Sequence, residues 1–467
     1  MSTKSKSLFD LFLIYSIGTI STRLINFILI FVTTFYLTKE QVGQYDLILI
    51  TLNLLTPIAT LQLADSALRW LLDDHSEQGL RKIVTNSALI LLCGLLMVGI
   101  GLFVFNLFEP IYFLLKIYIL IFFQSIFLLT QQCVRGQGDN KMYVTSSVLY
   151  TLLYTIFTLT SLAVLDLKVD GIVTANIFAV ILVNIFVLFK NKLYRYFSLS
   201  EFSFRFSKEL LSYSVPLIPN AISWWAISSL NRYLIRIFIG LGANGIFAIS
   251  YKIPTILLVF IGIFNFSWQE KAITSHSKDD REAYYSEVLN KYIRVLFSIA
   301  ILVTAVSKLL LSFIVSSEFQ DSWQYTSILL YGIIFCSLSS FYGSIYLGEK
   351  RTNQLLYSSL FGGVISIASA YFLIPLLGLY GASISIFLGY FSLFVMRVVR
   401  LKSVRVKLDY GHFLLFTAVF ALISSFSYLD NIYLSFLGIF LAVAFVLYYN
   451  FKLVADLLKR WNIQVSL

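Results

Sequence analysis

Long stretches without charge decide the fold, and the clearest of them is residues 83–108, which read IVTNSALILLCGLLMVGIGLFVFNLF. A helix needs about 20 predominantly apolar residues to cross a bilayer, and this stretch exceeds that length. Its apolar residues do not alternate with polar ones, as they do in the strands of a membrane barrel. The stretch therefore predicts a membrane-spanning helix.

The composition extends this interpretation to the whole chain. Of its 467 residues, 58% are hydrophobic and 13% charged, and the mean hydropathy is +0.84. Soluble domains carry about 25% charged residues, so the composition excludes a water-soluble enzyme, a secreted scaffold and a disordered chain. The cysteines Cys93, Cys133 and Cys336 lie in apolar stretches without Cys-x-x-Cys spacing and predict packing residues. We predict an all-α polytopic membrane protein.

Apolar stretches of comparable length recur along the chain and predict about 14 transmembrane helices, each long enough to cross a bilayer, some of them only with tilt. They cover residues 11–37, 44–64, 83–108, 111–134, 142–165, 171–189, 210–239, 246–267, 292–316, 324–347, 354–376, 379–399, 413–429 and 432–451.

The lysines and arginines orient these spans. Of 35 such residues, 27 fall in alternate connections and their span ends, beginning with the N-terminal segment. Cytoplasmic connections carry the excess of Lys and Arg in membrane proteins. We therefore predict that both termini are cytoplasmic. The same bias accounts for the net charge of +11 without nucleic acid as a partner.

The spans form two similar sets of six. The tetrapeptide GDNK at 138–141 returns as GEKR at 348–351, and an even number of spans per set predicts parallel repeats about an axis normal to the membrane. Residues 190–209 divide the sets and mix basic with aromatic residues, which is typical of a segment on the inner leaflet surface. The predicted domains are an N-terminal lobe at 1–189, an amphipathic cytoplasmic linker at 190–209, a C-terminal lobe at 210–400, and two extra helices with a cytoplasmic tail at 401–467.

Apart from the cations near span ends, four cationic residues lie within predicted spans, where a charge is costly and indicates function. They are Arg23, Arg232, Arg236 and Lys252. They outnumber the acidic residues available at mid-membrane, and Arg binds phosphate through paired donors, so the set predicts an anion site. The alternatives are a structural ion pair of Arg23 with Asp46, and snorkelling of Lys252 and Asp46 at the outer boundary.

Polar residues at helical spacing extend from these charges along three spans and predict faces that line a cavity or a helix contact. For each Ser, Thr or Asn alone, buried hydrogen bonding is the alternative. The faces comprise Ser16, Thr19, Arg23, Asn26 and Thr33; Asp46, Asn53, Thr56 and Thr60; and Trp225, Ser228 or Ser229, Arg232 and Arg236.

No sequence motif indicates catalysis. The chain has neither a Gly-x-x-x-x-Gly-Lys nor a Gly-x-Ser-x-Gly sequence, and no paired carboxylates in an apolar setting. His75, His276 and His412 lie in hydrophilic connections without a partner His or Cys at metal-ligand spacing. We expect no catalytic residue, cofactor or metal.

Several segments resemble the polysaccharide flippases, the O-antigen (Wzx-type) and capsule-unit flippases of the multidrug/oligosaccharidyl-lipid/polysaccharide exporter superfamily. The likeness spans almost the whole chain, although each motif is loose. The similar segments are RLINF at 23–27, YLTKEQVGQY at 36–45, YSVPLIPN at 213–220, WW at 224–225, NRY at 231–233, GLGANGIF at 240–247 and GLYGA at 378–382.

The resemblance implies two six-helix lobes around a cationic cavity in the bacterial inner membrane. It implies export of an undecaprenyl-pyrophosphate-linked oligosaccharide to the outer leaflet by alternating access, for cell-surface polysaccharide assembly. The partners would be that lipid-linked substrate and the bilayer, and association with the polysaccharide polymerase machinery is compatible with this function.

On this interpretation the four cations bind the pyrophosphate, and a weaker set of candidates binds the sugar. Asp46 forms an ion pair or takes part in coupling transport to an ion. The sugar candidates are Asn26, Asn53, Trp224, Trp225 and Asn231. Asn231 departs from the family, in which many members have Asp before Arg-Tyr, and this removes a counter-ion or proton carrier.

Three alternative functions stay open. A drug or ion antiporter and a lipid II flippase belong to the same superfamily, and a membrane enzyme of polysaccharide assembly belongs to a different class. Loss of a flippase accumulates lipid-linked units in the inner leaflet, whereas loss of a polymerase leaves single units displayed outside.

Overall fold

The structure is a computed structural model that describes residues 8–74, 76–111, 113–274, 280–349, 351–429 and 431–465. Within these ranges the regular structure is helical, which confirms the all-α prediction. The helices are α1 Leu8–Tyr36, α2 Lys39–Ala59, α3 Leu63–Asp73, α4 Glu77–Phe108, α5 Leu114–Gly136, α6 Asn140–Ala163, α7 Lys168–Lys190, α8 Phe204–Ser214, α9 Ile218–Ser229, α10 Asn231–Phe238, α11 Leu241–Lys252, α12 Thr255–Thr274, α13 Arg281–Ile314, α14 Trp323–Gly348, α15 Thr352–Leu377, α16 Leu379–Arg400, α17 Tyr410–Tyr428 and α18 Ile432–Val465.

The chain is a polytopic membrane protein. Among the described residues 11 helices are long and apolar enough to cross a bilayer, and there are 12 if α11 and α12 form one span bent by 44°. The other two predicted spans coincide with helices that do not reach this length. One is α1, of which Ser21–Tyr36 forms a shorter apolar helix. The other consists of α9 and α10, which are separated at Leu230. A count of fourteen spans stays a prediction.

The chain folds as two compact units, Met1–Trp225 and Ala226–Leu467. In the first unit, apolar side chains of α2 to α7 form one buried cluster with those of α8. In the second, α14 is the central helix, since 83% of its most apolar window is buried. The predicted lobes, linker and C-terminal pair, with boundaries at 189, 209 and 400, stay a prediction.

Each of the two similar tetrapeptides lies at the junction between two consecutive long helices. Gly136 ends α5, Gly138 has a φ of +82°, and the Asp139 carboxylate caps α6 by accepting from the Met142 N–H at 3.0 Å. A positive φ strains residues with a Cβ, which accounts for glycine at 138. The second tetrapeptide lies where Gly348 ends α14 and Thr352 begins α15.

Residues 190–209, predicted to join the lobes, pack against the first unit through Asn86 of α4. The Asn86 side chain is fully buried. Its Oδ1 accepts from the Ser203 N–H and the Ser207 hydroxyl, both at 2.9 Å, and its Nδ2 donates to the Glu201 carbonyl at 3.0 Å. The opposite side of the segment is open, since Phe204 is 79% exposed. Residues 190–209 therefore have one side packed on the first unit and one exposed side.

Residues 401–409, here called the strap, run in extended form along α13. Every second residue from Arg405 to Asp409 donates its backbone N–H to a side chain of α13, and the accepting residues are four apart on the helix. The spacings match because two extended residues rise about 6.6 Å and four helical residues about 6.0 Å. The bonds run from the N–H groups of Arg405, Lys407 and Asp409 to Glu282 Oε1, Ser286 Oγ and Asn290 Oδ1, at 2.8, 2.9 and 2.9 Å.

Candidate functional site

The predicted site residues of the first unit begin with Arg23 and Asn26, both exposed on α1. Leu24 and Ile28 beside them are 63% and 49% exposed, so this face of α1 is open. Within the described ranges no salt bridge joins Arg23 to Asp46. The predicted stripe cannot be followed towards the N-terminus, because the side chains at 16 and 19 lie outside the described part.

The residues of the predicted polar face of α2 differ in exposure along the helix. Asp46 is 7% exposed, whereas Asn53, two turns later, is exposed. The hydroxyls of Thr56 and Thr60 donate within the helix to the carbonyls four residues earlier, as the hydrogen-bonding alternative expects. Only the Asn53 portion of this face is open.

A cluster of hydroxyl and amide groups lies beside Asp46 and was missed by sequence reasoning. The hydroxyls of Tyr45 and Tyr154 share a hydrogen bond. Tyr150 stacks on Tyr154 with the ring centroids 6.2 Å apart and donates to Asn176 Oδ1 at 2.7 Å. The cluster connects α2, α6 and α7. The available signal was the spacing of Tyr150 and Tyr154, one helical turn apart in an apolar span.

Trp224 and Trp225 are half-buried near the end of the first unit. The Trp225 indole N–H donates to the Ile50 carbonyl at 2.8 Å, which anchors α9 on α2. The polar end of this indole is thus used within the protein, and its ring remains partly open.

In the second unit, Asn231 and Arg232 begin α10 directly after the break at Leu230. Asn231 is 2% exposed and donates from Nδ2 to the Ala382 carbonyl at 3.2 Å, while its Oδ1 has no hydrogen-bond partner among the described residues. Arg232 is 7% exposed, with its guanidinium carbon 4.8 Å from the ring centroid of Tyr251. This cation–π contact partly compensates the guanidinium for its lost contact with water.

Arg236 and Lys252 are exposed. Arg236 follows Arg232 by one turn, yet the two differ in burial, because the last turn of α10 leaves the interior of its unit. Ile237 there is 70% exposed. The shared cavity for the four cations, and their contact with a substrate, stay predictions.

Tyr251, the ring partner of Arg232, and Cys336 both lie close to Tyr390 of α16. A further arginine, Arg397 of α16, is 3% exposed and donates from Nη1 to the Ser339 carbonyl at 2.6 Å. From the sequence pattern Arg397 is one of the charges at a span end, so its burial could not be predicted.

His412 has a structural partner. The Asp409 carboxylate accepts from the His412 N–H at 3.1 Å and lies 2.7 Å from its Nδ1, and these bonds lower the pKa of Asp409. The pair caps the N-terminus of α17. His75 and His276 lie outside the described residues.

The arrangement of helices is shared with known membrane transporters. The lipid II flippase MurJ, in an inward closed conformation, matches with a TM-score of 0.73 over 96% of this chain and 100% of that chain, at 13% identity. An inward-facing multidrug resistance MATE transporter of the MOP superfamily matches with 0.67 over 86% and 95%, at 16% identity. A MOP superfamily transporter from Pyrococcus furiosus matches with 0.57 over 88% and 94%, at 16% identity. The fold is that of a MOP superfamily transporter.

Residues 10–268, more than half of the chain, match the family model of polysaccharide biosynthesis proteins. The chain therefore belongs to the polysaccharide biosynthesis protein family, as the sequence resemblance predicted. No curated protein sequence matches the chain.

Proposed function

We propose that this protein is a flippase that moves an undecaprenyl-pyrophosphate-linked oligosaccharide from the cytoplasmic to the outer leaflet of the bacterial inner membrane. The observation that carries the proposal is a set of arginines inside apolar helices of a polysaccharide biosynthesis transporter. Arg23 and Arg236 are exposed there, and Arg232 is held over Tyr251. Charges at membrane depth require compensation by a partner, water or substrate.

A pyrophosphate is the part of this substrate that suits guanidinium groups. It presents several anionic oxygens, and Arg donates two parallel hydrogen bonds to such a group. Arg23 and Arg236 receive the pyrophosphate in this proposal, with Lys252 adding charge. Arg232 contributes a fixed positive field, because the ring of Tyr251 restricts its side chain.

The sugar requires hydroxyl partners and flat apolar faces. The proposal assigns the first role to the amides of Asn26, Asn53 and Asn231, and the second to the half-buried rings of Trp224 and Trp225. The lipid tail stays in the bilayer while the head group crosses between two six-helix lobes of alternating access. These lobes, the fourteen spans and the cytoplasmic termini belong to the same proposal.

We propose that Asp46 either couples transport to the binding of a proton or cation or balances the positive charge of the first unit. It is a buried carboxylate beside the Tyr45–Tyr154 hydrogen bond, and Asn231 offers no second acidic group. A proton or cation bound at Asp46 alters the charge of the first unit without contacting the substrate.

Lipid II flipping is the second candidate, because the fold of the lipid II flippase MurJ matches 96% of this chain with a TM-score of 0.73. A drug antiporter is disfavoured by the excess of cationic residues over acidic ones within the spans. For the Pyrococcus furiosus relative, a reverse polarity of the binding pocket suggests a different function, so pocket charge differs between members of this fold.

The test is deletion of the gene followed by complementation with Arg→Ala variants at positions 23, 232 and 236. Each variant should reach the membrane in normal amounts while lipid-linked units accumulate in the inner leaflet. Loss of a charge-assisted contact is worth about 1.5–3 kcal/mol, which corresponds to roughly a 10- to 100-fold loss of export. Lys should restore export only in part, because it lacks the paired donors.

Arg205→Ala is the matched control, since the Arg205 side chain is 93% exposed outside the spans. Full export by three well-expressed Ala variants would refute the site. Failure of cell-wall lipid II export after deletion, with surface polysaccharide intact, would favour the second candidate. Display of single units outside the cell would indicate a polymerase instead.

A further inference from the structure

Within the described residues, the strap uses one of its two backbone edges for hydrogen bonds. Besides the three N–H groups that donate to α13, the carbonyls of Ser403 and Lys407 accept from Arg281 Nη2 and Asn290 Nδ2, both at 3.1 Å. All of these strap groups belong to odd-numbered residues. In an extended chain the backbone groups of successive residues point to opposite edges. The odd-numbered residues therefore form the edge that is bonded to α13.

The opposite edge of the strap consists of the backbone groups of Val404, Val406 and Leu408. In the described part of the chain these N–H and C=O groups take part in no hydrogen bond. Val404 is 2% exposed, whereas Val406 and Leu408 are half-buried, so the accessible part of this edge lies at 406 and 408. An extended segment with free backbone groups is a template for pairing with another extended chain.

The two faces of the strap carry different side chains. Arg405 and Lys407 are exposed and, being two residues apart, share one face, while Val406 and Leu408 lie on the other. A chain paired at the open edge places its alternate side chains beside these two sets. Acidic side chains complement the first set and apolar side chains the second. The strap therefore fits a segment in which acidic and apolar residues alternate.

The positive charges of the strap are available to such a segment. Arg405 and Lys407 form no salt bridge among the residues that the structure describes. The nearest carboxylates are engaged by backbone groups, since Glu282 accepts from the Arg405 N–H at 2.8 Å and Asp409 accepts from the His412 N–H at 3.1 Å. A partner carboxylate therefore does not have to displace an existing ion pair.

The strap lies beside the part of α13 that precedes its apolar stretch. The helix residues bonded to it run from 281 to 290, and the predicted span begins at 292. At about 1.5 Å per residue, the helix partners of Arg405 and Lys407 lie about 15 and 9 Å along the helix from that start. The head-group layer is about 5–8 Å thick on each side of the hydrocarbon core. Both charges therefore reach water, which favours a protein segment over the bilayer as the occupant.

We propose that the open edge of the strap binds an extended segment of a second protein, in which acidic residues alternate with apolar ones. Its backbone pairs with Val406 and Leu408, and its acidic side chains lie beside Arg405 and Lys407. In strand addition of this kind, main-chain hydrogen bonds supply affinity and alternate side chains supply specificity. The proposal is independent of the transported substrate.

The test measures binding of a fluorescent ten-residue peptide, in which Glu alternates with Val, to the full-length protein in phosphatidylcholine nanodiscs. Fluorescence anisotropy should show saturable binding that weakens as salt is added, because the charges are exposed. Two further peptides are methylated on the Glu or on the Val backbone nitrogens. One of them should bind at least about tenfold more weakly than the other, because only one set of N–H groups faces the strap.

A charge reversal tests the side-chain contacts. Arg405→Glu combined with Lys407→Glu should abolish binding of the Glu–Val peptide and create binding of a Lys–Val peptide. The backbone bonds to α13 do not depend on these side chains, so the thermal unfolding of the double variant should match that of the wild type. Arg205→Glu is the matched control, because Arg205 is 93% exposed outside the spans.

Equal binding of the two methylated peptides would overturn the strand pairing. Unchanged binding of the Glu–Val peptide by the double variant would overturn the role of the two charges. The last arm uses nanodiscs that contain phosphatidylglycerol and native mass spectrometry to count retained lipid. If the wild type does not bind the peptide and the double variant retains less phosphatidylglycerol, the occupant is the bilayer and the proposal is wrong.

Discussion

At the scale of single residues, the environment of Arg232 depends on the ring of Tyr251. We predict that Tyr251→Phe keeps the cation–π contact and that Tyr251→Leu loses it, at a cost of about 0.5–2 kcal/mol beyond the lost packing. Each Tyr251 variant is combined with Arg232→Met in a double-mutant cycle, and the free energy of unfolding is measured in detergent. The coupling energy should be about this size for Tyr251→Leu and close to zero for Tyr251→Phe. Independent effects of the two positions would contradict the prediction.

The same residues show how far sequence reasoning reaches. A charge in an apolar stretch is conspicuous, so Arg232 and Arg236 could be predicted as candidates from spacing alone. Their different burial could not, because it depends on the helix break at Leu230. The burial of Arg397 was equally hidden, since it requires Gly343 to approach from a helix about fifty residues earlier.

At the scale of elements, Asn86 determines where residues 198–210 lie. Asn86→Ala removes one acceptor and one donor and leaves the Ser203 N–H and the Glu201 carbonyl without their partner. Each buried group left unsatisfied costs about 1–3 kcal/mol. We predict faster hydrogen exchange in this segment and in α8, measured on the intact protein, with the apolar helices unchanged.

Asn353→Ala provides the control for this variant, because Asn353 is an exposed asparagine in the first turn of α15. Wild-type exchange rates in residues 198–210 of the Asn86 variant would show that other contacts hold the segment. In that case the role assigned to Asn86 would be wrong.

The long helices were predictable because each requires an uninterrupted apolar stretch, and every predicted span coincides with helical structure. Shorter elements were not predicted. In α3, Leu63, Ala67 and Leu71 are buried at helical spacing, but the segment is too short and too polar to suggest a span. The strap was also missed, since its bonds use backbone groups that no side-chain pattern reveals.

At the scale of the whole molecule, the distribution of Lys and Arg predicts the orientation in the membrane. After replacement of the exposed Cys93, single cysteines at Lys141, Ser200 and Lys402 should resist a membrane-impermeant maleimide in intact cells. Cysteines at the exposed positions Asp166 and Glu318 should react. Labelling of any of the first three positions from outside would refute the topology.

An even number of spans and a pair of similar tetrapeptides predict two lobes, and their boundaries at 189 and 210 stay a prediction. The contact boundary after Trp225 lies inside the predicted seventh span, at a place where no change in composition marks it. Hydropathy reports the length of an apolar stretch and not which neighbours it touches. The assignment of a helix to one compact unit therefore required the folded chain.

The strap also has a consequence for changes in chain length. Its N–H groups engage α13 at every second residue, Val404 is 2% exposed, and the next residue, Arg405, is exposed. Loss of a single residue exchanges the two faces and turns a charge towards α13, whereas loss of two preserves the alternation. Only insertions or deletions of an even number of residues keep the same side chains of the strap facing α13. Related sequences should therefore differ in the length of this connection by even numbers of residues.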